Sequence, residues 1–85
     1  MVTEGVTVRC QAGLHTRPAK LFALAAQRFR ADITVEFEGR QAQGKSIISL
    51  LQLGAPKGSR LWVSAEGEDE REAVRALCEL LRGCD

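Results

Sequence analysis

The sequence predicts an α+β fold of the order β-α-β-β-α-β-α, in which helices cover one face of a single, largely antiparallel sheet and the other face stays open to water. Three observations predict it. Three segments alternate apolar and polar residues at period two, with a turn after the second that leads to a partner strand; two others repeat apolar residues at helical spacing and a third is a short capped apolar run; and the connections are mostly short. The 85 residues make one domain, residues 1–85, long enough to enclose a core without staples and too short for a second.

Thr3 to Arg9 carries Val6 and Val8 at period two around Thr7, a half-buried strand that Gln11, Ala12 and Gly13 end in a loop. From Thr16 onward Pro18, Leu21, Phe22, Ala25, Ala26 and Phe29 recur at helical spacing. Pro18 falls in the first turn, where its missing N–H had no intrahelical partner, so it fixes the start of the helix. Asp32 to Phe37 alternates Ile33, Val35 and Phe37 with Thr34 and Glu36, and Glu38-Gly39 turns this strand into a partner at Arg40 to Gln43. Ser46 before Ile-Ile-Ser-Leu-Leu-Gln-Leu and Gly54 after it predict a short helix capped by a hydroxyl and closed by a glycine. Leu61, Val63 and Ala65 alternate with Trp62 and Ser64 in a strand from Arg60 to Ala65, with Trp62 on the open side. The last helix bears the stripe Ala73, Val74, Leu77, Cys78 and Leu81, a capping-box variant of Asp69 with Glu72 at its start, Glu70 complementing its dipole, and Gly83 at its end.

Composition narrows the function. Apolar residues are 45% and charged ones 27% of the chain, as in an ordinary globule. Twelve Lys and Arg against eleven Asp and Glu leave a net charge of +1, too balanced for the broad positive footprint of a nucleic-acid binder. Residues 1–65 nevertheless hold nine basic and four acidic side chains, so one surface leans positive and suits an acidic or phosphorylated partner. Cys10, Cys78 and Cys84 are odd in number and show no CxxC spacing, and a single histidine leaves no ligand cluster for a metal. They read as reduced thiols. With neither a signal-peptide pattern nor an apolar run of bilayer length, a cytoplasmic protein without membrane insertion is expected.

His15 is the residue on which chemistry converges. It stands between a glycine-containing loop and the first turn of a helix that carries Arg17. Unpartnered N–H groups and the helix dipole favour an anion there, and a guanidinium two residues on can form paired bonds to phosphoryl oxygens. A neutral ring nitrogen attacks phosphorus through its lone pair. The ordinary alternative is that His15 caps the helix and Arg17 is a solvated charge.

Gly13-Leu14-His15-Thr16-Arg17-Pro18-Ala19 resembles, without interruption, the active-site signature of HPr, the histidine-containing phosphocarrier of the bacterial sugar phosphotransferase system. Gly44-Lys45-Ser46-Ile47-Ile48-Ser49-Leu50-Leu51-Gln52-Leu53-Gly54 resembles the second motif of the same family at the expected distance. The resemblance implies an open-faced β-sandwich with sheet order 1-4-2-3, which periodicity alone does not supply. It further implies that His15 accepts a phosphoryl group from enzyme I, charged by phosphoenolpyruvate, and passes it to a sugar-permease acceptor domain of the IIA type, with Arg17 stabilising the group in transit. Such a carrier is a monomer that needs no cofactor and no metal, and is not an autonomous enzyme.

The same resemblance implies that Ser46 is the position modified by HPr kinase/phosphorylase in bacteria that hold that enzyme, and that Lys20, Leu24, Ile47, Ile48 and Leu51 form the docking patch. A two-turn helix cannot bury Ile47, Ile48, Leu50, Leu51 and Leu53 on one stripe, so some must face out, with Leu50 and Leu53 expected in the core. The sequence departs from the common pattern at Ser49, where glycine is frequent, and at Leu24 and Gln27, where basic residues are frequent; partner preference is what these departures bear on. Three alternatives remain: a carrier in a nitrogen-related regulatory phosphotransferase chain, a docking module that carries no phosphate, and an RNA-binding sheet, which would need exposed aromatics on adjacent strands. Members of the docking kind lack the active histidine. The start methionine and the full set of elements predict an independent protein.

Overall fold

The computed structural model of the chain describes residues 1–11 and 13–83. Its elements are β1 (Val2–Thr7), α1 (Thr16–Ala26), β2 (Asp32–Phe37), β3 (Arg40–Gln43), α2 (Ile47–Gln52), β4 (Arg60–Glu66) and α3 (Glu70–Arg82). The four strands form one sheet in the order β1-β4-β2-β3, antiparallel at each junction. Helix α3 lies against β1 and β4, α2 against β3, and α1 packs between α2 and α3. The predicted element order and open-faced architecture are those of the structure.

Alternation explains which sheet face is covered. Val6, Ile33, Val35, Phe37, Ala42, Leu61, Val63 and Ala65 are buried beneath the helices, where Phe22, Leu50, Leu77 and Leu81 meet them. Full burial of a side chain such as Phe22 or Leu77 stabilises the fold by about 1.5–3 kcal/mol. The β2–β3 hairpin has positive φ at both Glu38 and Gly39, as a type I′ turn requires.

The structure differs from the sequence reading at four places. Strand β1 ends at Thr7, short of the expected Arg9, because Val8 pairs with the loop before β4: its N–H donates to the Ser59 carbonyl and its carbonyl accepts from Gly58, both at 2.8 Å. Leu21, expected on the inner stripe of α1, is 49% exposed; the buried stripe is Pro18, Ala19, Phe22, Ala23 and Ala26, and Phe29 lies beyond the helix end. Asp69 makes no capping bond on α3. Its carboxylate instead accepts from the N–H groups of Arg30 and Ala31, each at 2.9 Å, tying the α1–β2 connection to the start of α3. Cys10 is disulfide-bonded, not a reduced thiol. Cys78 is free and buried, and burial pushes its thiol up to about 11, so it is inert packing; Cys84 lies outside the described residues.

The Arg30 N–H, and with it that of Ala31, holds the Asp69 carboxyl below its usual value. A depressed folded-state value gives stability that is present above the unfolded value, about 4, and lost as pH falls through the folded one. Thermal unfolding of Asp69→Asn is therefore expected at a lower temperature than that of the parent at neutral pH, with the gap closing on acidification below about pH 4. A gap that stays constant with pH would assign the stabilisation to the side-chain shape instead of its charge.

Trp62 stands on the open face, 44% exposed. It faces Gly5 across β1 and β4, and a Cβ on Gly5 would lie 2.9 Å from the indole and 2.8 Å from the Arg60 guanidinium. Arg60 in turn stacks over the indole at 5.4 Å from the ring centroid. Indole and guanidinium thus cover the glycine's bare backbone. Phe37 is buried on the opposite face, so no aromatic pair for stacking RNA bases exists here.

Candidate phosphoryl-transfer site

The site begins with three residues of different character. Gly13 turns the chain at φ +76° in a place where a Cβ would fall 2.5 Å from the Ala55 carbonyl oxygen and 2.8 Å from the Pro56 Cα. Leu14 then sinks into the core, 5% exposed, and its N–H donates to the Ala55 carbonyl at 2.8 Å. With Gly13 and Leu14 pinned to the 55–56 segment, His15 is set outward at the mouth of α1. Gly13→Ala must take up a left-handed conformation and displace that backbone, at a cost of about 1–3 kcal/mol in stability. Chemical denaturation of the variant measures this; an unchanged midpoint would mean that the loop relaxes freely.

His15 is the N-cap residue of α1 through its backbone, with its carbonyl accepting from the Ala19 N–H at 3.0 Å. Its side chain makes no capping bond and is exposed. The ordinary capping role therefore leaves the imidazole unused. Behind it, Thr16 and Arg17 offer the first-turn N–H groups, while Pro18 has none to offer and is buried. Arg17 and Lys20 are exposed, and neither joins an ion pair among the described residues. No acidic residue occupies the first turn to neutralise them.

Helix α2 has the expected cap: the Ser46 hydroxyl accepts from the Ser49 N–H at 3.2 Å. Leu50 and Leu53 are buried as expected. Ile47 is partly buried against the core, Ile48 is 69% exposed and Leu51 36%. On the adjoining α1, Leu24 is 48% exposed, so with Leu21 an apolar patch crosses both helices. Leu21 is the member that sequence reasoning missed. The signal lay in the alanines, because Ala19, Ala23 and Ala26 complete an inner stripe with Phe22 and leave Leu21 outside it.

Gln27, where the family often has a base, donates through Nε2 to the Lys45 carbonyl at 3.1 Å, and Lys45 Nζ reaches the Phe29 carbonyl at 2.9 Å. Arg40 donates to the Leu53 carbonyl at 2.8 Å at the other end of α2. These bonds fix α2 against α1 and β3, and so fix the spacing of the patch. Among the described residues no group of His, Cys, Asp and Glu side chains could hold a metal ion, and no helix is long and apolar enough to cross a membrane.

Residues 2–83 match the family model for the PTS HPr component phosphorylation site. The phosphocarrier protein HPr of Vibrio cholerae is 43% identical over 81 residues, covering 95% of each chain. The HPr-like protein Crh of Bacillus subtilis is 42% identical over 77 residues, covering 91% of each. Among solved structures, HPr from Thermoanaerobacter tengcongensis superposes with a TM-score of 0.92 at 38% identity, covering 96% of this chain and 92% of that one. With the fold, the sheet order and the model match in agreement, this chain belongs to the HPr family of phosphocarrier proteins of the phosphotransferase system.

Proposed function

We propose that this chain is a cytoplasmic, monomeric, single-domain carrier that takes a phosphoryl group from enzyme I onto His15 and delivers it to IIA-type acceptor domains of sugar permeases. The observation that carries this reading is the outward imidazole of His15, free of any capping bond, beside the first-turn N–H groups of α1 and the guanidinium of Arg17, which is unpaired among the described residues. The imidazole lone pair forms the new P–N bond as the bond between phosphorus and the donor breaks, and the donor keeps the electron pair. The phosphoryl oxygens meet the positive end of α1 and the Arg17 fork. Positioning and charge stabilisation are all that such a transfer asks of the protein.

Lys20, Leu24, Ile47, Ile48 and Leu51 are the docking surface in this reading, with Leu21 added by its exposure. Ser46 is its regulatory position: a phosphate there adds about two negative charges beside Ile47 and Ile48 and repels an acidic partner while α2 stays folded. The disulfide at Cys10 is the feature that a reducing compartment opposes.

The test is incubation with phosphoenolpyruvate, magnesium and a bacterial enzyme I, read by intact mass. One acid-labile phosphoryl adduct per chain supports the carrier. A folded sample that takes no phosphate from enzyme I of several bacteria sinks it and favours the docking module.

A further inference from the structure

The molecule sorts its charges by position along the sheet. Residues 5–31 and 39–65 contain no Asp or Glu, yet they hold nine of the twelve Lys and Arg. These two stretches build β1 from Gly5 onward, α1, β3, α2 and β4 up to Ala65. Many of the carboxylates gather at the other end of the strands. Asp32 faces Glu66 in register, Glu70 pairs with the N-terminal ammonium, Glu68 with Arg30, and Asp69 takes the N–H groups of Arg30 and Ala31. Glu36, opposite Trp62, and Glu38, in the β2–β3 turn, lie toward the C-terminal end of β2, while Glu4 on β1 pairs with Arg82 at the end of α3.

Two cations at the His15 end belong neither to the apolar patch nor to α1. Arg9 follows Val8, and Lys57 precedes Gly58; Val8 exchanges backbone hydrogen bonds with Gly58 and Ser59, so Arg9 and Lys57 flank one and the same junction. The two loops that carry them are the loops that set His15, through the Leu14 N–H on the Ala55 carbonyl and Gly13 packed on Pro56. Both side chains are exposed and neither forms an ion pair among the described residues. Arg60, next along, is spent on Trp62.

We propose that Arg9 and Lys57 form a second, cationic contact for the phosphoryl-donating partner, matched to a carboxylate-bearing surface beside the partner's own phosphoryl group. The inference rests on the carrier reading and deepens it. In this chain the surface on α1 and α2 presents Leu21, Leu24 and Gln27 beside the exposed cations Arg17 and Lys20, and Gln27 is engaged with Lys45; Arg9 and Lys57 carry the positive charge past α1 onto the loops on which His15 itself is mounted.

The test compares the parent with the double variant Arg9→Gln/Lys57→Gln and with a control on exposed α3 positions, Arg71→Gln/Arg75→Gln. The second-order rate constant for phosphoryl transfer from phosphorylated enzyme I is read between about 50 and 300 mM salt. The loop variant is expected to lose about tenfold at the lowest salt, to show a flatter salt dependence, and to keep the parent rate at saturating carrier. The control keeps both rate and slope. A loop variant with the parent's rate and salt slope overturns the inference while the carrier stands. Absence of any adduct on the parent removes the carrier reading, and this inference with it.

Discussion

The His15→Ala protein is expected to fold as the parent does and to acquire no phosphoryl adduct from enzyme I under conditions that fully charge the parent. Both halves follow from the same geometry. The imidazole is exposed and makes no capping bond, so its removal deletes no contact that holds α1; the cap is the backbone carbonyl, which alanine retains. A surface change of this kind moves stability by about 0.5 kcal/mol or less. Because His15 is the one histidine of the chain, no second imidazole can take over. Matched denaturation midpoints together with loss of the acid-labile mass shift would tie the chemistry to this side chain. An adduct that persists on the variant would move the acceptor elsewhere, to Ser46 if the bond resists acid.

Part of this site is legible in the sequence alone. The loop at Gly13 and the helix start at Thr16, with Pro18 in the first turn, are local signals; the burial of Leu14, which is tied to the Ala55 carbonyl, is not. Ser46 as a cap and Glu38-Gly39 as a hairpin turn are local as well. What stayed illegible depends on residues far apart in sequence. Asp69 reaches Arg30 and Ala31 across 38 or 39 positions, which outcompetes the capping box that its immediate neighbours suggest. Gly13 owes its necessity to Ala55 and Pro56, and Gly5 owes its own to Arg60 and Trp62. The Cys10 disulfide was illegible for another reason: an odd count without CxxC spacing carries no sign of pairing. Sheet order was likewise beyond periodicity: alternation says which face of a strand is buried, and nothing of which strand lies beside it.

Arg17→Ala is expected to slow phosphoryl transfer to and from His15 by about 10²–10³-fold, with a change in stability of about 0.5 kcal/mol or less. In the free protein the guanidinium is exposed and unpaired among the described residues, so no structural bond is lost with it. Its contribution arises when a partner covers the site: excluded water lowers the local dielectric just as charge spreads over the phosphoryl oxygens, and a planar fork two residues from the nucleophile can then bind two of them. Arg17→Lys keeps the charge and loses the fork, so it is expected to fall between the parent and the alanine variant. Single-turnover transfer rates from phosphorylated enzyme I, measured with saturating partner, separate this effect from weakened docking. If the alanine variant transfers at the parent's rate, the developing charge is carried by the N–H groups of Thr16 and Arg17 at the start of α1, which the substitution leaves in place, and the guanidinium is a docking group alone.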